Sequence, residues 1–137
     1  MKKEFCTYKQ ALALKELGFN ELCFTTYDDE GRLRNPFDYE RSEYEKTNIS
    51  YIEDSTQFLT NESLNSKSNF IIAPLKQQAF RWFREKHGLY SVIDGLEHRQ
   101  YYKITQLNSY SKEYDTYEEA EQACLDKLIE TLWKKNL

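Results

Sequence analysis

Glycine is scarce in this chain, with 4 in 137 residues and none adjacent to another. A loop that wraps phosphate needs glycines close together so that backbone N–H groups converge, so a P-loop or dinucleotide fingerprint is excluded. Histidine is scarcer still, with 2 residues, His87 and His98, and the 3 cysteines, Cys6, Cys23 and Cys124, stand far apart. Structural zinc needs ligands paired at short spacing, which this set does not offer. A Cys–His nucleophile needs hydrogen-bond proximity that nothing in the spacing supplies. The many acids include no two that their placement marks as an acid–base pair. No catalytic residue, metal or cofactor is therefore expected, and the chain reads as a non-enzyme. An odd, unclustered set of cysteines also argues against a disulfide framework and fits a reducing cytosol.

Long apolar runs are missing too. None approaches the roughly 20 residues that span a bilayer, and Met1-Lys2-Lys3-Glu4-Phe5 has no apolar segment behind its basic residues, so neither a membrane partner nor a signal peptide is expected. Positive charge is in deficit: the net charge is −4 with a pI near 5.3, which argues against bulk attraction to a polyanion. The deficit is uneven. Residues 1–69 carry nine basic and thirteen acidic side chains, residues 70–110 six and three, and residues 111–137 four and seven. Any anion-binding surface is expected in the middle block.

What the chain does have is aromatic rings, 11 Tyr and 8 Phe within a hydrophobic fraction of only 39%. Each buried ring removes a large area from water, so a few suffice for a compact core. A helix is predicted from about Tyr8 to Leu17, with Thr7 and Gln10 as a capping box, Gly18 as its stop and Ala11, Leu12, Leu14 and Leu17 as its apolar positions. A strand over Leu22–Tyr27 follows, ended by Asp28-Asp29-Glu30-Gly31, with a partner strand near Arg32–Arg34. Residues 37–69 read as a polar, acidic insertion, its second half a loop, with some local structure near Ile49–Ile52. The acidic Tyr pairs around Asp38-Tyr39-Glu40 and Glu43-Tyr44-Glu45 read as hydrophilic loop ahead of nucleic-acid mimicry.

From Ala73-Pro74 a second helix is predicted, with Leu75, Ala79, Trp82 and Phe83 on one face and Gly88 at its end. Strands over Leu89–Ile93 and Arg99–Gln106 are joined by Asp94–His98, and a weaker strand covers Tyr110–Tyr114. A last helix starts at Thr116 with Glu119 and runs to about Lys134, its stripe formed by Ala120, Cys124, Leu128 and Leu132, widened by Leu125 and Ile129. The expected fold is α+β, an antiparallel sheet of three or more strands packed against helices. It is read as one domain over 1–137: an N-terminal helix and strand (1–36), the insertion (37–69) and an α-β-β-β-α core (70–137).

Glu4-Phe5, Thr7-Tyr8, Gln10 to Phe19 and Cys23, then Ala73-Pro74-Leu75, Gln77 to Lys86 and Gly88-Leu89, then Tyr117 to Glu121 with Cys124-Leu125, resemble a family of small proteins in bacteriophages and prophages of the Bacteroides group. That resemblance implies phage ancestry, an accessory role and the cytoplasm of a bacterial host, without a mechanism. Residues 74–134 also resemble the double-stranded-RNA-binding domain in the order of their elements. In that family lysines at the start of the closing helix grip phosphates; here Tyr117 and Glu118 stand there, with Glu121 a turn on. The hairpin loop keeps Gly95 and His98 but lacks the family's proline. Carboxylates beside phosphates repel them, so the topology is expected to transfer and the RNA function is not.

Candidate binding residues follow from the middle block. Lys76, Arg81 and Arg84 on the outer face of the second helix, with Arg99 and Lys103 of the hairpin, form a candidate phosphate-contacting set. Tyr101 and Tyr102 point to opposite faces of the sheet, one core and the other free for a partner. The leading expectation is a small accessory protein that binds a protein, itself included; the alternative is a nucleic-acid binder using the basic set.

Overall fold

The computed structural model describes residues 2–34, 60–64 and 70–136, which form two compact units that divide in sequence between Leu75 and Lys76. The fold is α+β, as the sequence predicts, with an antiparallel three-stranded sheet in each unit. The acidic Tyr pairs and the region of Ile49–Ile52 lie outside the described residues.

In the first unit, helix α1 spans Tyr8–Glu16 and both halves of its capping box are made. The Thr7 hydroxyl accepts from the Gln10 N–H at 3.1 Å, and the Gln10 side chain accepts from the Thr7 N–H at 2.9 Å. Ala11 and Leu14 face inward, whereas Leu12, expected among the apolar positions, is exposed because it lies about 100° around the helix from Ala11. Strands β1 (Thr26–Tyr27), β2 (Leu33–Arg34) and β3 (Ile71–Ile72) pair in the order β2-β1-β3. The strand predicted over Leu22–Tyr27 keeps only its last two residues as β1. Phe5, Ala11, Tyr27, Ile71 and Ala73 form the core cluster, with Tyr8, Leu33 and Leu75 packed on it. Burial pushes the Tyr27 phenol up to about 12, and its hydroxyl donates to the Cys6 carbonyl.

Two polar side chains hold this unit's turns. Asp28 is buried and accepts from the N–H groups of Glu30 and Arg32 and from the guanidinium Nε of Arg32 and Arg34, each at 2.9 Å. Burial pushes its carboxyl up, but these four hydrogen bonds outweigh it and hold the group well below the usual carboxylate range. Asn61 opens the short helix α2 (Asn61–Leu64), a segment the sequence reads as loop. Its amide donates to the Phe19 carbonyl at 2.8 Å and accepts from the Ile72 N–H at 3.1 Å, both buried. One polar side chain thus ties α2 to the end of α1 and to β3, a long-range role that no local pattern announces.

In the second unit, helix α3 spans Lys76–His87 rather than starting at Ala73-Pro74. Leu75 is held outside it, in an isolated bridge with Phe5, and the residue preceding Pro74 is biased against helix. Strands β4 (Ser91–Leu96) and β5 (Arg99–Ile104) pair along their whole length, leaving a turn of Glu97 and His98 alone. The predicted five-residue loop is therefore too long. Gly95 lies within β4 at φ +136°, where an added Cβ would sit 2.1 Å from the Arg99 carbonyl oxygen, so backbone approach and conformation both demand glycine. Strand β6 is only Ser109–Tyr110, and the predicted Tyr110–Tyr114 pairing survives further on as a bridge between Tyr114 and Gln100. Ser111 interrupts the ladder: its hydroxyl accepts from the Tyr102 N–H at 2.9 Å.

Helix α4 spans Tyr117–Lys135, with the Thr116 hydroxyl accepting from the Glu119 N–H. Its predicted stripe is the core: Ala120, Cys124, Leu125, Leu128 and Leu132 are buried, while Ile129 is half-buried. It packs on β4, β5 and α3, and Ala79, Trp82 and Phe83 of α3 add to the same interior. Each large aliphatic side chain fully buried here contributes about 1.5–3 kcal/mol.

Candidate functional site

Side chains of the β4–β5 hairpin alternate between two environments. Ser91, Ile93, Tyr102 and Ile104 share the face toward α4: Ile104 is buried, the Ser91 hydroxyl reaches Cys124, and Tyr102 is raised by burial and by Tyr114, Cys124, Glu130 and Asp126. The cross-strand register Val92↔Lys103, Asp94↔Tyr101, Leu96↔Arg99 and Lys103↔Tyr110 puts the remaining side chains together on the opposite face. That outer face exposes large apolar groups: Val92 at 55%, Leu96 at 80% and Tyr110 at 64%. Single exposed hydrophobics are ordinary, but three on one face are not.

The polar groups on this face hold it in shape. The Tyr101 ring meets Tyr110 edge-on at 5.2 Å, and the Lys103 ammonium lies 5.1 Å over the Tyr110 ring. Arg99 grips Glu113 through two hydrogen bonds, Nε to Oε2 at 3.0 Å and Nη2 to Oε1 at 3.2 Å. That contact and the attraction behind it raise the guanidinium and lower the carboxyl. An open cavity of about 380 Å³ lies there, lined by Asp94, Gly95, Leu96, Arg99, Tyr101 and Glu113. The chemistry is that of a docking surface, with apolar area and rings pre-ordered by neighbours and few charges without a counter-charge.

The sequence-predicted residues are dispersed. Arg99, Tyr101 and Lys103 do share the outer face, and Tyr102 is the inward tyrosine of the pair, stacked on Tyr114 at 6.3 Å. Arg81 and Arg84 are exposed on α3. Lys76 corrects the reading: expected on the outer face of its helix, it is only 3% exposed. Its ammonium lies 3.6 Å from Glu121 of α4, and Gln77 donates to the same carboxylate at 3.0 Å. Its stem fits between the helices and its charge is already matched, so it is not available to a phosphate. The basic set thus loses Lys76 to the interior and Arg99 to Glu113. Around the start of α4, Glu118, Glu119 and Asp126 line a cavity of about 630 Å³ together with Lys3 and Lys76, so acids outnumber cations there by three to two.

The three cysteines are buried. Burial pushes the Cys124 thiol up to about 11, opposite to what a nucleophile needs. Among the described residues no three His, Cys, Asp or Glu side chains cluster as metal ligands, and no helix is long and apolar enough to cross a membrane.

Leu96 escapes sequence reasoning because the predicted strand stops at Ile93, while Val92 and Tyr110 lie in predicted strands whose exposed face the sequence does not identify. The usable signal is the alternation across Ser91-Val92-Ile93-Asp94-Gly95-Leu96. Extended to Leu96 it places Val92, Asp94 and Leu96 on one face. Compared with protein-family models, curated proteins and solved structures, the chain matches none.

Proposed function

We propose that the protein acts by binding another protein through the outer face of its second sheet, as a small accessory protein of phage or prophage type in the cytoplasm of a bacterial host. The observation that carries the binding reading is the exposure of Val92, Leu96 and Tyr110 beside Tyr101 on a hairpin paired along its whole length. Aromatic and aliphatic anchors on a fixed scaffold supply affinity without a large ordering cost. Arg99, Lys103 and Asp94 at the same face supply polar selectivity. The phage setting is supported by the resemblance of the α1, α3 and α4 segments described above.

The nucleic-acid alternative keeps Arg81, Arg84 and Lys103, a set too small to offset the acidic start of α4. Affinity capture from a bacterial lysate with the wild-type chain and a Leu96→Lys/Tyr110→Lys chain tests the proposal. A partner held by the wild type and lost by the variant supports it. A partner held equally by both overturns it, and the same follows if low-salt mobility shifts show DNA or RNA bound through Arg81 and Arg84 while no protein is captured.

A further inference from the structure

We infer that the first partner of this surface is a second copy of the chain, added antiparallel along the free edge of β4. This rests on the proposed binding face and names the partner at its edge, which extends that face without covering it.

The hydrogen-bonding direction of every hairpin residue follows from its neighbours. Gln100 exchanges both backbone bonds with Tyr114, and the Tyr102 carbonyl accepts from the Ser111 N–H. Even-numbered residues of β5 therefore bond away from β4, so Arg99, Tyr101 and Lys103 bond toward it, to Leu96, Asp94 and Val92. It follows that the backbone groups of Ser91, Ile93 and Gly95 point outward, and among the described residues β4 pairs with β5 alone. One of those outward donors is already used, since the Gly95 N–H donates to the Asp94 carboxylate at 2.7 Å. Among the described residues, both backbone groups of Ser91 and Ile93 and the Gly95 carbonyl remain for an added strand.

The side chains favour this chain as that strand. With a two-fold axis at Ile93, Ile93 bonds Ile93 of the second copy and Ser91 faces Gly95 of the second copy. Val92 then faces Asp94 of the second copy, and Tyr90 faces Leu96 of the second copy. The only charged residue of β4, Asp94, avoids its own image, whereas the next register toward the turn would set Asp94 against Asp94. The exposed apolar side chains Tyr90, Val92 and Leu96, at 51%, 55% and 80%, become one row across the junction. The arrangement is self-complementary, as a two-fold interface requires. The product is one six-stranded sheet in the order β6-β5-β4-β4-β5-β6, whose outer face is twice as wide for any further partner.

Val92 and Asp94 of the second copy form a pair without backbone hydrogen bonds, the type in which side chains lie closest. That gives a test specific to the register, read by sedimentation equilibrium of the full chain with folding checked by circular dichroism. Val92→Asp, on an exposed side chain, sets two like-charge pairs per dimer and is expected to weaken dimerisation about tenfold. Val92→Lys sets two opposite-charge pairs and is expected to leave dimerisation intact or tighten it. Hydrogen exchange supplies the second reading: the Ile93 amide slows as protein concentration rises, while the Val92 amide, already bonded to β5, does not change. A monomer at every concentration overturns the inference, as does equal weakening by both substitutions or an Ile93 amide indifferent to concentration. A monomer that still captures a protein through Leu96 and Tyr110 removes the second copy and leaves the binding face standing. A dimer that captures no protein keeps the inference and removes the further partner.

Discussion

Lys76 and Glu121 offer the most quantitative test of the second unit's interior. Their charged atoms lie 3.6 Å apart, with side chains 4% and 9% exposed. At an effective dielectric near 20 the gross attraction across that distance is about 4.6 kcal/mol. Desolvation of both ions consumes much of it, so the pair as a whole is near neutral for stability, yet each member depends strongly on the other. Lys76→Met leaves the Glu121 carboxylate buried with Gln77 as its remaining side-chain donor, and is expected to cost about 3–5 kcal/mol at neutral pH. Lys76→Met/Glu121→Leu is expected to restore most of that or exceed the wild type. Urea denaturation of the wild type, both single variants and the double variant gives the coupling directly.

The pH dependence carries a sign. Burial raises the Glu121 carboxyl against the pull of Lys76, and removing Lys76 raises it further. A group raised on folding contributes stability that is fully present below its unfolded pKa, about 4.3, and lost as pH rises through its folded value. The deficit of Lys76→Met should therefore be small at pH 4 and grow toward pH 7. Single-variant costs that add in the double variant, or a deficit that ignores pH, would refute the picture of a dry, mutually dependent pair.

Gly95→Ala meets the Arg99 carbonyl and a left-sided φ together, and is expected to lower stability by about 1–3 kcal/mol or more in thermal melts. Asn61→Ala removes the acceptor of the buried Ile72 N–H and the donor to the Phe19 carbonyl, which should cost about 1–3 kcal/mol in urea titrations. Leu128→Ala opens a cavity beneath α4, where Leu128 is 0% exposed, at about 2–5 kcal/mol. Asp28 is lowered on folding, so its contribution is present above the unfolded value near 3.9 and lost as pH falls toward the folded one. Melting curves at pH 7 and pH 3 should show a larger drop for the wild type than for Asp28→Asn.

The second unit was the more legible in sequence because its signals are local. Thr116 ahead of Glu119 and the stripe Ala120-Cys124-Leu128-Leu132 specify α4 without help from elsewhere. The same holds for Thr7 with Gln10 at α1. What escaped depends on contacts far apart in the chain. Lys76 looks like a surface cation until Glu121, 45 positions away, is brought against it, and Asn61 looks like loop until Phe19 and Ile72 meet it. The outer face is half legible: Arg99, Tyr101 and Lys103 stand out on β5, but Leu96 is hidden because Asp94-Gly95 resembles a turn, and Val92 and Tyr110 because nothing local says which face of their strands is exposed. Gly95 instead serves a close backbone approach within β4, and the turn falls two residues later.

The most direct test of the proposed binding surface is site-specific photocrosslinking inside bacterial cells, with the probe placed in turn at Leu96, Tyr110, Arg84 and Glu119. Discrete protein adducts are expected from Leu96 and Tyr110, one of them the mass of two chains, and none from Arg84 or Glu119. Adducts from Arg84 or Glu119 with none from Leu96 and Tyr110 would contradict the proposed surface.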